Sequence, residues 1–253
     1  MQFLSENFSL NGISSDIMSI ILITFDDDVL RDFGNIYKQD LSIDGNLNNK
    51  PFYSNSIADG EYITLNLLLV EKDNVTPSKW TKESISRISN WVISENFQPF
   101  VSEDNLDIVY YLKCTNINKK FTNDMTGYLE CTFKLFNNTA YYKSNIVFNV
   151  NGFREVDITN VGNSDYKPII KVTNNSNSDA RLSLNNTELI LDGLNSNDTI
   201  IIDNKMKTVC GLDGRNRLSC CNRKWLSLRQ GVNTLQVNGN CSIEVISEFP
   251  IGV

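Results

Sequence analysis

Hydrolysis by paired acids is the first chemistry to ask of this sequence. A glycosidase needs two facing carboxyl groups, one to protonate the leaving oxygen and one to attack or to activate water. Asp157, Asp192 and Asp203 are candidates, but no spacing singles them out, and Asp203 reads better as the turn residue closing Ile200–Ile202. There is no histidine. This removes the commonest metal ligand and the commonest group that titrates near neutral pH, and it excludes Ser-His-Asp and Cys-His catalysis. Chemistry using only Asp, Glu, Lys or Tyr stays open. No Gly-rich phosphate cradle occurs, Asp213-Gly214 being a turn.

The six cysteines are Cys114, Cys131, Cys210, Cys220, Cys221 and Cys241. None forms C-x-x-C, and no histidine can complete a zinc set. The N-terminus lacks the basic and apolar regions of a signal peptide, so a reducing compartment of synthesis is expected, where disulfides are not the default. Small buried hydrophobes is therefore the expected role. For the four between Cys210 and Cys241, a thiol or metal role, or a disulfide formed later outside the cell, are the alternatives. Asp26-Asp27-Asp28 has the charge for a cation but lacks the glycine and distal glutamate of a calcium loop, so a solvated strand end is expected. No catalytic residue, cofactor or metal site is expected. Tyr166 and Trp225, with Phe153 and Tyr141-Tyr142, are the candidates for a carbohydrate platform, against core or interface packing of the same rings.

These residues need elements to position them. At 253 residues the chain fits one large β domain or two smaller ones. Its 41% hydrophobic content is enough for a real core. The net charge of -7 argues against gripping nucleic acid through a basic face. The longest apolar run, Ile17–Phe25, falls far below the roughly 20 residues that span a bilayer. It is rich in β-branched residues and is expected to be a buried strand, preceded by a strand and turn over Phe8–Ser15.

Asp40–Gly60 is polar and reads as a long loop or hairpin arm. Tyr62–Val70 alternates Ile63, Leu65, Leu67 and Leu69 on one face, the strand period. Thr76–Glu95 is the one expected helix, capped at Thr76-Pro77 or at Thr81, with Ile85, Ile88, Trp91 and Val92 as its apolar stripe. Asp107–Cys114 and Tyr128–Leu135 read as paired strands around a turn at Asn116–Gly127. Ile146–Val150 reads as a strand carrying the chain between domains. The boundary belongs between Ala140 and Ile158, giving domains 1–145 and 146–253. Beyond it, short strands recur at Ile169–Val172, Arg181–Leu184, Glu188–Leu191, Thr199–Ile202, Lys205–Val209, Trp225–Leu228, Thr234–Val237 and Ser242–Ser247. Turn signals, Asn238-Gly239 among them, separate them, and the pattern argues for an antiparallel sandwich.

A resemblance rests on ordered elements. Phe8-Ser9-Leu10-Asn11-Gly12 opens the chain, Pro51-Phe52-Tyr53 leads into Tyr62–Val70, and the helix with Ile88 and Trp91-Val92 precedes Asn105–Leu112. Then come Asn160-Val161-Gly162, Pro168-Ile169-Ile170, a strand ending at Asp203, Trp225-Leu226-Ser227-Leu228 and Gly231-Val232-Asn233. In this order, over nearly the whole chain, they resemble the distal tail proteins of long-tailed, siphovirus-type bacteriophages. Asn204–Asn222 lies outside the resemblance. What it implies is a mainly β fold, with an N-terminal β-barrel-like ring domain flanked by one helix and a C-terminal galectin-like antiparallel β-sandwich. It further implies a structural, non-enzymatic homohexamer ring at the tip of the tail in the virion, made in the host bacterial cytoplasm. The implied partners are the major tail tube protein and the tail-associated lysin or tail-fibre hub, with DNA passing through the lumen unbound. The alternative is a carbohydrate-binding module that contacts host-surface glycans and aids adsorption to the cell wall.

Overall fold

The computed structural model describes residues 3–23, 40–44, 52–56, 62–71 and 76–252. They form a mainly β, antiparallel protein with one α-helix, in two compact units: residues up to Ala140 with the last two, and Tyr141–Ile251. The acidic run Asp26–Asp28 lies outside the described residues.

The N-terminal unit begins with β1 (Phe8–Leu10), β2 (Ile13–Ser14) and β3 (Ile20–Ile23). A hairpin of β4 (Asp40–Asp44) and β5 (Phe52–Ser56) falls within the stretch expected to be a loop or arm. It continues with β6 (Tyr62–Leu69), α1 (Lys82–Val92), β7 (Gln98–Ser102), β8 (Ile108–Phe121) and the first part of β9 (Gly127–Asn160). One continuous run goes β9-β8-β7-β1-β2, with β6 and then β3 attached to β9, and β2 ends the run, so among the described residues the sheet is not closed. The alternation in β6 is realised as burial: Ile63, Leu65, Leu67 and Leu69 all face the core.

The expected strand at Ile17–Phe25 is shorter. Ser15–Ser19 form a turn, with Ser19 at φ 54° and its residues tied back through Ser15, and this leaves Ile17 exposed. The helix is also shorter than expected, because Thr76–Ser78 is taken up in extended pairing with Leu69–Glu71. Thr81 caps it instead: its Oγ1 accepts from the Ser84 amide at 3.1 Å, while Ser84 Oγ accepts from the Thr81 amide at 2.9 Å. The apolar stripe then buries Ile88, Trp91 and Val92. Trp91 stacks on Phe8 with centroids 5.5 Å apart and donates from Nε1 to the Leu10 carbonyl, which fixes the helix to β1.

β8 runs on through Asn116–Phe121, where a turn was expected. These polar residues stay in the ladder because their side chains are partnered across it: Thr115 donates to the Thr132 carbonyl, and Asn118 and Lys120 both reach Glu130. The turn is reduced to Thr122–Thr126. There Asp124 accepts from the Thr122 and Thr126 hydroxyls and faces Lys79 at 3.6 Å. The two hydroxyl bonds, chiefly, hold its carboxyl down at about 2, against an ordinary 3.8. A depressed folded-state value stabilises above the unfolded one and is lost as pH falls through the folded one. Wild type and Asp124→Asn are thus expected to differ in melting temperature at neutral pH and to converge as pH falls from 3.8 to about 2. Thermal melts across that window check it, and parallel curves would contradict it.

The C-terminal unit holds the rest of β9, then β10 (Ile169–Asn174), β11 (Ala180–Leu184), β12 (Thr187–Leu191), β13 (Thr199–Asp203), β14 (Thr208–Gly211), a single 3-10 turn at Leu218–Cys220, and β15 (Gly231–Gly252). Its ladder runs β14-β13-β10-β15-β9, with the β11–β12 hairpin attached to β15 through Arg181–Ser183. Inward residues such as Ile170, Val172, Leu182, Leu189, Ile202, Leu235 and Ile243 make one core.

Three expectations are corrected here. Ile146–Val150 is no separate strand but the middle of β9. Thr234–Val237 and Ser242–Ser247 are one strand, because Gly239, at φ 152°, continues it. A Cβ there would lie 3.2 Å from the Asp179 carbonyl, so this glycine serves close passage of a neighbouring chain segment and makes no turn. Lys205–Lys207 form the β13–β14 turn, Lys207 at φ 57°, and the strand begins only at Thr208.

Candidate functional site

The stretch Asn222–Gln230 contains the expected strand Trp225–Leu228, yet it joins no ladder. Only Leu228 bridges, exchanging both backbone bonds with Tyr166 at 2.7 and 2.8 Å. Its backbone is satisfied instead by asparagine side chains from several loops. Asn204, fully buried, donates from Nδ2 to the Pro168 carbonyl and accepts the Leu226 amide on Oδ1, both at 2.7 Å. Asn160, also buried, donates to the Leu228 and Ser164 carbonyls and accepts the Gly162 amide. Asn185 donates to the Ser227 carbonyl at 2.9 Å and to Asn233 Oδ1. Asn233 closes Arg229–Gly231, accepting the Arg229 amide and donating to both carbonyls.

Asparagine suits this task. It presents a donor pair and an acceptor on a short stem, so one side chain can replace a missing ladder partner on both sides. It does so without a charge, whose burial would cost far more. Gly162 belongs to the same arrangement: a Cβ there would lie 2.9 Å from the Pro250 carbonyl. The short sequence elements Asn160-Val161-Gly162, Pro168, Trp225–Leu228 and Gly231-Val232-Asn233 are thus brought together as mutual loop supports. Asn204 and Asn185 were not anticipated. The signal was available only as an asparagine directly after the strand-ending Asp203, which reads as ordinary turn composition.

The acids are not brought together as a catalytic pair by any shared contact. Asp157 accepts from Thr234 Oγ1 at 2.7 Å across β9 and β15, and Asp203 accepts the Lys205 and Met206 amides within its turn. Asp192 is exposed. Cys131 and Cys241 are buried in the two separate cores. Burial raises the thiol of Cys131 steeply, that of Cys241 to about 11, and those of Cys114 and Cys221 less. Such thiols are neutral at physiological pH and poor nucleophiles. Among the described residues no three Cys, Asp or Glu side chains are grouped as a metal site. Tyr166 and Trp225 are each half-buried against the C-terminal core, Tyr166 standing edge-on to Phe249 at 5.2 Å. Phe153 is exposed.

A family model described as phage tail protein N-terminal domain matches residues 3–135. A second, described as siphovirus-type tail component, C-terminal domain, matches residues 161–247. The SPbeta prophage-derived uncharacterized protein YomH of Bacillus subtilis (strain 168) is 24% identical over 178 residues, 65% of this chain and 68% of that protein. The crystal structure of the Dit protein of phage SPP1, described as a paradigm of the hub adsorption apparatus in phages infecting Gram-positive hosts, aligns over 96% of this chain and 98% of its own. Its TM-score is 0.61 at 12% identity, a likeness of fold. A chain of the phage P2 baseplate in its activated conformation with calcium aligns over 90% of each at a TM-score of 0.47 and 9% identity.

Proposed function

Because this chain belongs to the phage tail proteins, we propose that it is a distal tail (baseplate hub) component whose six copies close into a ring at the tip of a long-tailed phage. Residues 1–145 form the ring, and residues 146–253 are a galectin-like sandwich. The ring joins the tail tube protein to the tail-fibre or tail-associated lysin hub, and DNA passes through its lumen. The protein is made in the host cytoplasm, is carried in the virion and performs no catalysis.

The observation that carries this reading is the succession of two tail-protein matches along one chain, supported by a shared fold over nearly all of its length. The physics is consistent with it. An open antiparallel sheet leaves strand edges that invite uncontrolled pairing, and a head-to-tail contact whose rotation closes removes that hazard. A net charge of -7 favours a lumen that does not hold passing DNA. The asparagine supports give the C-terminal unit rigid loops for docking without any reacting group.

Mass photometry and negative-stain imaging of the purified protein, alone and with its tail tube protein, are expected to give six-fold rings in at least the second case. A protein that stays monomeric in both, at micromolar concentration, contradicts the ring. Sugar contact through Tyr166 and Trp225 would have to use the part of each ring left outside the core. Retention on host cell walls that falls in Trp225→Ala is the outcome expected of that second role.

A further inference from the structure

Charge in this acidic chain is segregated. Seven of its 23 basic residues, and only two of its 30 acidic ones, fall between Asp203 and Arg229. The basic residues are Lys205, Lys207, Arg215, Arg217, Arg223, Lys224 and Arg229, and all are exposed. Arg215 is paired with Asp213 at 3.4 Å. No ion pair engages the other six among the described residues.

The fold gathers most of these cations on one part of the C-terminal unit. Lys205 and Lys207 ride on the β13–β14 turn, and the Asn204 bond to the Leu226 amide joins that turn to the segment carrying Arg223 and Lys224. Arg215 and Arg217 lie beside β14, through Gly211 donating to the Arg215 carbonyl and Arg217 donating to the Val209 carbonyl at 2.8 Å. Asn216 bridges Cys210 between them, so the two arginines fall on one side of an extended piece, roughly 7 Å apart along it. Glu188 and Asp192, on and just after β12, border this surface where Asn222 and Cys220 meet that strand. Met206 and Leu212 are exposed within it.

We propose that this surface binds a linear phosphodiester polymer that carries no bases. Clustered cations displace the counterions condensed on such a polyanion, and this gain does not depend on its sequence. Arginine and lysine both hydrogen-bond phosphate oxygens directly. Single-stranded nucleic acid is disfavoured, because its recognition uses aromatic stacking platforms. The only aromatic residue in the stretch, Trp225, is half-buried against the core. Buried Asn204 ties the backbone of the β13–β14 turn to that of the segment carrying Arg223 and Lys224, so the stems of these cations are held close together. This inference stands apart from the ring: it concerns the C-terminal unit whether or not copies assemble.

The full-length protein is titrated with 1,3-poly(glycerol phosphate), with oligodeoxythymidine of equal phosphate number, and with neutral dextran, over a range of salt. Binding to poly(glycerol phosphate) is expected at about 0.15 M salt, with weaker binding to the oligonucleotide and none to dextran. A Lys205→Gln, Lys207→Gln, Lys224→Gln variant is expected to bind roughly tenfold more weakly, its salt slope shallower by about 2. A Lys82→Gln, Lys119→Gln, Lys143→Gln variant, with the same net charge, should bind as wild type. Should the first variant not fold, the three single substitutions are each expected to weaken binding. The proposal is overturned by absence of binding at that salt, by equal or tighter binding of the oligonucleotide, or by equal losses in the two triple variants. It is also overturned if no single substitution changes affinity, or if sedimentation shows that the surface is occupied by a second copy that the first variant releases.

Discussion

Asn204→Ala is expected to lower the melting temperature of the C-terminal unit by roughly 10 °C or more. The side chain is buried and serves two backbone groups at 2.7 Å, the Pro168 carbonyl and the Leu226 amide. Removing it strips the Leu226 N–H of its partner and weakens the bonding of the Pro168 carbonyl. An orphaned buried group costs about 1–3 kcal/mol, and the cavity adds to it, for a total of about 2–5 kcal/mol. Asn204→Asp is no rescue at neutral pH, because an ionised carboxylate has no donor for the Pro168 carbonyl and keeping it neutral means protonating a carboxylic acid well above its usual range. Asn118→Ala is the matched control. It removes one exposed bond, to Glu130, and its effect should stay within about 0.5 kcal/mol. Urea melts of the three variants measure the difference, and equal midpoints for Asn204→Ala and Asn118→Ala would remove the supporting role of Asn204.

The second large effect is expected at Gly127→Ala in the other unit. Gly127 opens β9 at φ 146°, and a Cβ there would lie 2.0 Å from the Lys120 carbonyl oxygen. That oxygen is backbone of the paired strand, so β8 and β9 must separate at the turn. The same glycine's carbonyl accepts from Trp80 Nε1 at 2.7 Å, and Trp80 is buried against Phe121 with centroids 5.5 Å apart. Separation therefore releases a tryptophan from the core as well. A loss of roughly 3–5 kcal/mol is expected, at the upper end for single substitutions. Tryptophan emission should shift to longer wavelength even in the protein that still folds. Gly152→Ala is the informative contrast: it too has positive φ, at 90°, but nothing lies within 4 Å of its Cβ, so only backbone strain of about 1–2 kcal/mol applies. Indistinguishable melts for the two alanine variants would show that the contact at Lys120 is relieved without cost.

The parts of the fold legible in the sequence are those in which one local period decides burial. The alternation Ile63, Leu65, Leu67, Leu69 and the stripe Ile88, Trp91, Val92 were visible because a strand or a helix has one way to hide them. Boundaries were less legible. Thr76-Pro77 has the chemistry of a helix start, but extended pairing to Leu69–Glu71 competes for the same backbone and wins. Asn238-Gly239 carries the composition of a turn, yet its glycine answers to the Asp179 carbonyl, a neighbour remote in sequence. The supports around Trp225–Leu228 were hidden for a related reason. An asparagine that holds a distant loop and one that merely tolerates a turn look alike until the partner is known.

Cys131 and Cys241 give the molecule a native pair of reporters. Each thiol sits in a different core, fully shielded and held neutral by burial. A thiol reagent can reach either one only when the strands around it part, so its modification rate measures how often that core opens. Peptide mapping of one labelled sample would then time the two units separately, without a mutation or an attached probe. It could be done on isolated protein and on assembled particles alike, and the slowing between them would say which unit assembly restrains.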